Sequence, residues 1–417
     1  MLIFSFASLI IIFSLFGSQL IKKLFRSPLV FPFIFLFTTY IISPVLYHFD
    51  LSWFKFWLIS YNEHFYTLNY KVFFIFIIYL IFMIIGLKFR LSKSISLPKI
   101  RIAPNSAGIA IFISVCLLIY MSKGDIFNNI FSRELAVTYI NESGFGRYLL
   151  FIPLISFSFP IYLMKFRKFK RKYYFFISVF LYLLLVPFFG ITSGRGSLLF
   201  PLIMVFFVNF NYISKLSFNK ILILSFLFVI LMIGLAGLRM GDSFSGSLEN
   251  TSLVFATISD AFSRFDSTYA ALSAFINEDW DLIFGQSYFY GLFQIFPPSF
   301  ISFRDLTITP FLAKAIHNDI YFDIPSGTAS SIIFESYVNL GLFGTIISGI
   351  LTGYYYRVCY KLYNFNSIEY KVLSFHMAWM NPFGLSFALF FYDIVYKILF
   401  PFLFLILLQY ILKQNSK

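Results

Sequence analysis

The stretch Lys71-Val-Phe-Phe-Ile-Phe-Ile-Ile-Tyr-Leu-Ile-Phe-Met-Ile-Ile-Gly-Leu-Lys88 carries no charge between its two terminal lysines. As a helix rising ~1.5 Å per residue it extends ~27 Å, close to the ~30 Å hydrocarbon core of a bilayer. An amphipathic helix on a soluble domain would show one polar face every turn, and this segment has none. Comparable apolar runs lie near 2–20, 29–47, 107–121, 148–164, 173–190, 198–213, 221–238, 330–353, 372–391 and 394–412. With 59% hydrophobic and only 12% charged residues in 417, and a mean hydropathy of +0.84, a soluble domain is excluded, since soluble chains carry about 25% charge. The fold expected is all-α: a polytopic integral membrane protein with about 11 transmembrane helices and one long outer, periplasmic loop. Its organisation reads as 1–238 for helices one to eight, 239–329 for the loop, and 330–417 for helices nine to eleven.

Charge sets the orientation. Lys22, Lys23 and Arg26 follow the first run, Lys88, Arg90, Lys93, Lys99 and Arg101 the third, and Lys165, Arg167, Lys168, Lys170, Arg171 and Lys172 the fifth. Lys215, Lys220, Arg357, Lys361, Lys371, Lys413 and Lys417 fall on the same face, with Glu369 as its acidic residue. The positive-inside rule makes that face cytoplasmic. The net charge of +14 then reflects topology. Nucleic acid is not an expected partner, because the basic residues form short juxtamembrane clusters with no soluble domain beside them. The first run lacks a charged n-region and an A-x-A site, so it reads as a retained span with the N-terminus outside. Cys116 falls in a span and Cys359 in a cytoplasmic loop, which argues against a disulfide between them. No cysteine spacing suits a metal.

Loops of about 90 residues are rare between packed elements and usually functional, so 239–329 is where chemistry is expected. Within it, Leu253 to Phe275 suits an amphipathic helix, and Gly285, Gly291, Pro297 and Pro298 punctuate the rest of the loop. Six arginines lie outward or near the outer interface: Arg133, Arg147, Arg195, Arg239, Arg264 and Arg304. A guanidinium stays charged and presents a planar fork that binds phosphate or pyrophosphate in bidentate fashion. Arg195 lies in Ser193-Gly194-Arg195-Gly196-Ser197, where the glycines let backbone N–H groups approach an anion; the competing role is snorkelling to lipid headgroups. Local ion pairing competes at Arg239 with Asp242, at Arg264 with Asp266 and at Arg304 with Asp305.

Glu335 falls about six residues into the ninth run, where an ionised side chain is costly and faces a cavity or a partner. It is a candidate base, with pairing to a loop arginine as the structural alternative. His317, the histidine of the long loop, has the pKa range of a general base, against a merely solvated role. His376 lies within the tenth run, where an interhelical hydrogen bond is the expected role. Asp279-Trp280-Asp281 spells a D-x-D pattern able to hold a divalent cation against phosphate, but such a tripeptide arises often by chance, a solvated acidic turn is the favoured reading, and no metal or other cofactor is assigned.

The layout, together with Ser193-Gly194-Arg195-Gly196, Gly285-Gln286-Ser287-Tyr288 with Pro297-Pro298 downstream, and Glu335-Ser336-Tyr337-Val338-Asn339-Leu340-Gly341-Leu342-Phe343-Gly344, resembles the Wzy O-antigen polymerases, also called oligosaccharide repeat unit polymerases. Architecture covers the whole chain; the motifs cover parts of 193–344. Of that family's Arg-x10-Gly pattern, Arg133 and Gly144 keep the spacing, while Arg239, Arg264 and Arg304 have no glycine eleven positions on. The related O-antigen ligases carry a His-Asn pair about eleven residues before the equivalent of Gly341; here Ser330 stands there, which favours polymerase over ligase.

The resemblance implies a glycosyltransferase of lipopolysaccharide biosynthesis in a bacterial inner membrane. Its substrates would be undecaprenyl-pyrophosphate-linked oligosaccharides, its surroundings membrane lipid, and a chain-length regulator a further partner. A sugar hydroxyl attacks an anomeric carbon as the lipid pyrophosphate leaves, so the site needs cations at the leaving group and a base at the nucleophile. Arg195, Arg239 and Arg264, with Arg304 and Arg133 behind them, are the candidates for pyrophosphate, and His317 or Glu335 for the base. The alternatives are an O-antigen ligase and, as a non-enzyme, a lipid-linked oligosaccharide flippase. A flippase has no need of a 90-residue outer loop.

Overall fold

The computed structural model describes residues 1–12, 27–49, 69–89, 108–116, 152–185, 230, 265–293, 331–365, 367–380 and 385–414. The described residues are mostly helical and include no strand. In chain order the helices are α1 (Leu2–Ile12), α2 (Val30–His48, with a π turn at Thr38–Ile42), α3 (Tyr70–Lys88), α4 (108–116), α5 (Ile152–Phe169), α6 (Lys172–Leu185), α7 (Phe265–Asn277), α8 (Gln286–Phe293), α9 (Ile332–Tyr363) and α10 (Ile368–Trp379). They are followed by α11 (Phe387–Asp393), which passes through a π turn at Ile394–Leu399 into α12 (Phe400–Gln414). Four helical paths among the described residues are long and apolar enough to cross a membrane: Val30–His48, Tyr70–Lys88, Ile332–Tyr363 and Leu389–Leu412.

The chain divides into two compact units. The first, Met1–Ser94 with Thr251–Lys361 and Ala378–Asp393, is built around α3 and α9. Asn69 starts α3 from an extended conformation, its carboxamide oxygen accepting from the Lys71 N–H at 3.0 Å, the usual satisfaction of an orphan donor at a helix start. The same residue donates through its backbone N–H to Tyr269 Oη (2.9 Å) and through Nδ2 to Asn277 Oδ1 (3.1 Å), tying α7 to the mouth of α3. Rings from α1, α2, α3 and α7 close the space between these helices: Phe4 to Phe73 at 4.8 Å, Phe76 to Phe265 at 5.2 Å, Tyr47 to Tyr269 at 5.5 Å. Edge-on and tilted rings at such distances add to the burial they accomplish. Of the helix expected over Leu253 to Phe275, residues 253–264 lie outside the described residues; the described part is the helix Phe265–Asn277, with Thr268 to Phe275 buried.

Below this cluster α3 crosses α9 at glycine. A Cβ added at Gly353 would fall on the Met83 carbonyl oxygen, at Gly86 on the Ile350 carbonyl, and at Gly349 within 2.8 Å of the Tyr79 carbonyl. Small residues permit this backbone approach, as the small-xxx-small spacing of Gly349 and Gly353 does between membrane helices. Tyr79 Oη and Thr352 Oγ1 share a 2.7 Å hydrogen bond at the seam. The opposite face of α9 exposes Phe343, Ile347, Leu351 and Tyr354, an apolar stripe at helical spacing suited to hydrocarbon.

The second unit comprises Ile95–Asn250, Leu362–Met377 and Ile394–Lys417. Here α5 and α6 form an antiparallel hairpin turned at Lys170 (φ 57°), with Phe166 against Phe175 at 5.4 Å and Tyr162 against Tyr174 at 6.1 Å. Lys165 Nζ and Glu369 Oε1 lie 3.9 Å apart, both largely buried, and Ser367 Oγ donates to Glu369 Oε2 at 2.6 Å. The pair joins two segments that the charge pattern assigns to one face. His376 stacks on Phe157 at 4.6 Å, and its Nδ1 lies 3.0 Å from the Val372 carbonyl within its own helix; its contact with α5 also includes the Ser156 backbone. Phe175, Phe176, Phe180 and Leu183 on α6, and Leu403, Leu407 and Tyr410 on α12, are exposed apolar residues.

Two expected boundaries differ from the structure. Hydropathy ends the ninth run at 353, but α9 continues to Tyr363, so Arg357 and Cys359 stand on a helix and not in a loop. Tyr356 and Cys359 are buried there, and Tyr356 Oη donates to the Met380 carbonyl (3.3 Å), which extends the packed face past the apolar run. Hydropathy also makes 372–391 one span. Instead α10 ends at Trp379 and α11 begins at Phe387, because Asn381-Pro382-Phe383-Gly384 intervenes and proline followed by glycine ends a helix. The break expected near 392–393 is absent: the helical path continues from Asp393 into the π turn.

Candidate functional site

Three local features converge in the first unit. Ser331 starts α9, its hydroxyl accepting from the Phe334 N–H (3.3 Å) and from Thr268 Oγ1 (2.7 Å); this cap sets the helix phase and places Glu335 one turn in. Phe284 (φ 47°) and Gly285 (φ 85°) turn the chain into α8, whose buried Ser287 comes directly after Gln286. The glycine adopts left-handed backbone freely, whereas the phenylalanine is strained there. The third feature is the start of α11 at Phe387.

Glu335 joins all three. Its side chain is fully buried (0% exposed). Oε1 accepts from Ser287 Oγ at 2.7 Å, and Oε2 accepts from the backbone N–H of Phe387 at the first turn of α11. The first N–H groups of a helix have no partner within it and carry partial positive charge, so a carboxylate there is stabilised. These bonds offset part of the cost of burying the carboxylate. Asn339, one turn beyond Glu335, donates from Nδ2 to Ser287 Oγ and to the Glu335 carbonyl, both 2.7 Å. Its Oδ1 is buried with no hydrogen-bond partner among the described residues. Tyr288 lies beside Glu335, bonded to the Ser336 side chain, with its ring edge-on to Phe387 at 5.1 Å.

Directly after Asn339 the helix breaks. Leu340 (φ −139°, ψ 18°) and Gly341 (φ 60°, ψ −144°) leave helical geometry, and the Gly341 conformation is one essentially reserved to glycine. An unbroken helix would give the Val338 carbonyl to residue 342; here it accepts from the Ile283 N–H at 3.1 Å. The turn before α8 thus fills the gap in α9. From residue 342 to Tyr363 the helix runs ~33 Å at 1.5 Å per residue, enough to cross a bilayer without its first segment.

Of the residues assigned from sequence to catalysis or pyrophosphate binding, Glu335 is the one the structure describes. Arg133, Arg195, Arg239, Arg264, Arg304 and His317 lie outside the described residues, as does Ser330. The sequence makes Glu335 a candidate base, with pairing to a loop arginine as the alternative; the loop arginines lie outside the described residues, and among the described residues its partners are a serine hydroxyl and a backbone N–H. Asp279 (φ 49°) and Asp281 lie on an exposed turn, and among the described residues no group of three or more His, Cys, Asp or Glu could hold a metal.

Family models, curated proteins and solved structures offer no match to the chain. The site therefore rests on its own geometry. Sequence reasoning missed Ser287 as the partner of Glu335, because 48 positions separate them and no periodicity links them. Asn339 was accessible, since positions four apart share a helix face. The Phe387 N–H carries no sequence signal beyond the helix breaker that precedes it.

Proposed function

We propose that the protein is a polymerase of lipid-linked oligosaccharide repeat units, of the Wzy type, acting at the outer face of a bacterial inner membrane. One observation carries this reading. Two separate stretches that resemble the family, Gly285-Gln286-Ser287-Tyr288 and Glu335 to Gly344, meet in a single buried network through Ser287, Glu335 and Asn339. A shared site explains why two distant stretches would both carry a likeness.

In this account about eleven spans hold the site at the outer interface, beneath the 239–329 loop. Arg195, Arg239 and Arg264, with Arg304 and Arg133, bind the pyrophosphate of the donor. As the anomeric carbon–oxygen bond breaks, charge grows on the pyrophosphate, and guanidinium groups stabilise it. Glu335 takes the proton of the attacking sugar hydroxyl, which displaces the Ser287 hydroxyl from Oε1; His317 is the alternative base. Undecaprenyl pyrophosphate leaves, and the glycan is one unit longer.

The test is a gel of surface lipopolysaccharide from a host lacking the gene, with its lipid-linked glycans measured in parallel. A core bearing one repeat unit supports the polymerase. Long polymer retained on undecaprenyl above a bare core would make the protein a ligase, and repeat units trapped on the cytoplasmic face would make it a flippase.

A further inference from the structure

The turn joining α7 to α8 lines an open surface depression of about 530 Å³, bordered by Asp279, Trp280, Asp281, Leu282, Ile283, Phe284 and Gln286. That size falls within the ~300–1,000 Å³ of small-molecule sites, which combine apolar walls with a few converging polar groups. Its parts are unusual for a connecting turn. Phe284 is 80% exposed, and it is presented from a left-handed conformation (φ 47°) that a bulky residue adopts only where its surroundings enforce it. The enforcing contacts are present: Ile283 N–H bonds Val338 O on α9, and Gln286 N–H bonds Ile283 O at 3.0 Å. Trp280 is held edge-on to Phe275 at 6.0 Å, and Phe275 in turn edge-on to Tyr337 at 6.0 Å. Asp279, Asp281 and Gln286 stand exposed around these rings.

We propose that this turn is a saccharide subsite, in which a sugar of the acceptor repeat unit stacks on Trp280 and Phe284 while its hydroxyls donate to Asp279 and Asp281 and bond Gln286. The inference rests on the polymerase reading and adds to it where the acceptor docks. The chemistry favours a sugar. Pyranose rings present C–H faces that pack on aromatic rings, and carboxylates accept hydroxyl donors in charge-assisted bonds. Two carboxylates repel anionic lipid headgroups and pyrophosphate alike, so neither is the ligand of this surface. The position also links the turn to the proposed base: Gln286 directly precedes Ser287, whose hydroxyl reaches Glu335 at 2.7 Å.

The test uses the full-length protein purified in detergent. The probe is the oligosaccharide released by mild acid from the lipid-linked repeat units that the deletion host accumulates. Saturation-transfer NMR reads its affinity. The wild type should bind; Trp280→Ala should weaken binding about tenfold or more, Trp280→Phe should recover most of it, and Gln286→Ala should cost about threefold. Gln286 is exposed, so its variant tests the subsite even if Trp280→Ala misfolds. Absence of binding to the wild type, or unchanged affinity in both alanine variants, overturns the subsite. So does strong quenching of the Trp280 emission, taken as wild type minus Trp280→Phe, by brominated phosphatidylcholine vesicles, which would place the turn in the bilayer. These results leave the polymerase reading standing. A deletion host that retains full-length polymer sinks that reading and the subsite with it.

Discussion

The two halves of α9 bury opposite kinds of surface. Beyond Gly341 the helix packs backbone to backbone on α3 at Gly349 and Gly353, with one side-chain hydrogen bond at the seam. Before Gly341 it buries Glu335, Ser336 and Asn339 at 0% exposure and satisfies the carboxylate with groups from two other segments. Close packing of small residues holds membrane helices together and needs no chemistry. A buried carboxylate is expensive, and its neighbours must be built for it. The first half therefore carries the marks of a site and the second those of a scaffold, with the break at Leu340–Gly341 between them.

Substitutions can break this contrast. The largest expected effect is in the scaffold. Gly353→Leu puts a side chain onto the Met83 carbonyl, which cannot move as a flexible side chain would, and overpacking of this kind costs about 3 kcal/mol or more. Detergent-purified protein should be scarce and should aggregate on size-exclusion chromatography. Normal yield would mean the crossing is looser than described. Next is Glu335→Ala, which strands the Ser287 hydroxyl and the Phe387 N–H without an acceptor, at about 1–3 kcal/mol for each. Its thermal midpoint should drop clearly below that of Glu335→Gln, whose amide keeps an oxygen for Phe387 and a donor for Ser287. Equal midpoints would show that the network contributes nothing to stability.

Gly341→Ala comes third. A Cβ there meets only Leu282 Cδ1 at 3.8 Å, an ordinary contact, so the cost is the backbone conformation alone, about 1–3 kcal/mol. The variant should fold with a modestly lower midpoint and lose polymer if the break positions the turn at Ile283. The smallest effect belongs to Tyr79→Phe, which removes the 2.7 Å bond to Thr352 and should cost about 1 kcal/mol, leaving polymer length unchanged on a lipopolysaccharide gel.

The same contrast governs what the sequence disclosed. The run 71–88 announces itself through uninterrupted hydropathy, and α3 at Tyr70–Lys88 matches it closely. Hydropathy is blind to the break at Gly341, since a glycine among leucines and phenylalanines leaves an apolar run intact. It also joined α10 to α11, because the segment holding Pro382 is itself apolar. Glu335 stood out as a charge inside such a run, but its partners among the described residues are long-range and neutral. Pattern reasoning offered a base or a partner of a loop arginine, and had no means of naming Ser287 and the Phe387 N–H. The end of α9 was set short because Arg357 and Lys361 suggested a loop, whereas Tyr356 and Cys359 continue the packed face.

The central claim, that Glu335 organises the chemistry and not only the fold, is tested most directly by Glu335→Gln in the deletion host. Lipopolysaccharide gels should be read beside the amount of folded protein in the membrane. The account predicts near wild-type protein levels with the core capped by a single repeat unit, because the amide keeps an acceptor for Phe387, reverses the bond to Ser287 and removes the base. A full ladder of long polymer at the same protein level would contradict it and reduce Glu335 to a buried strut.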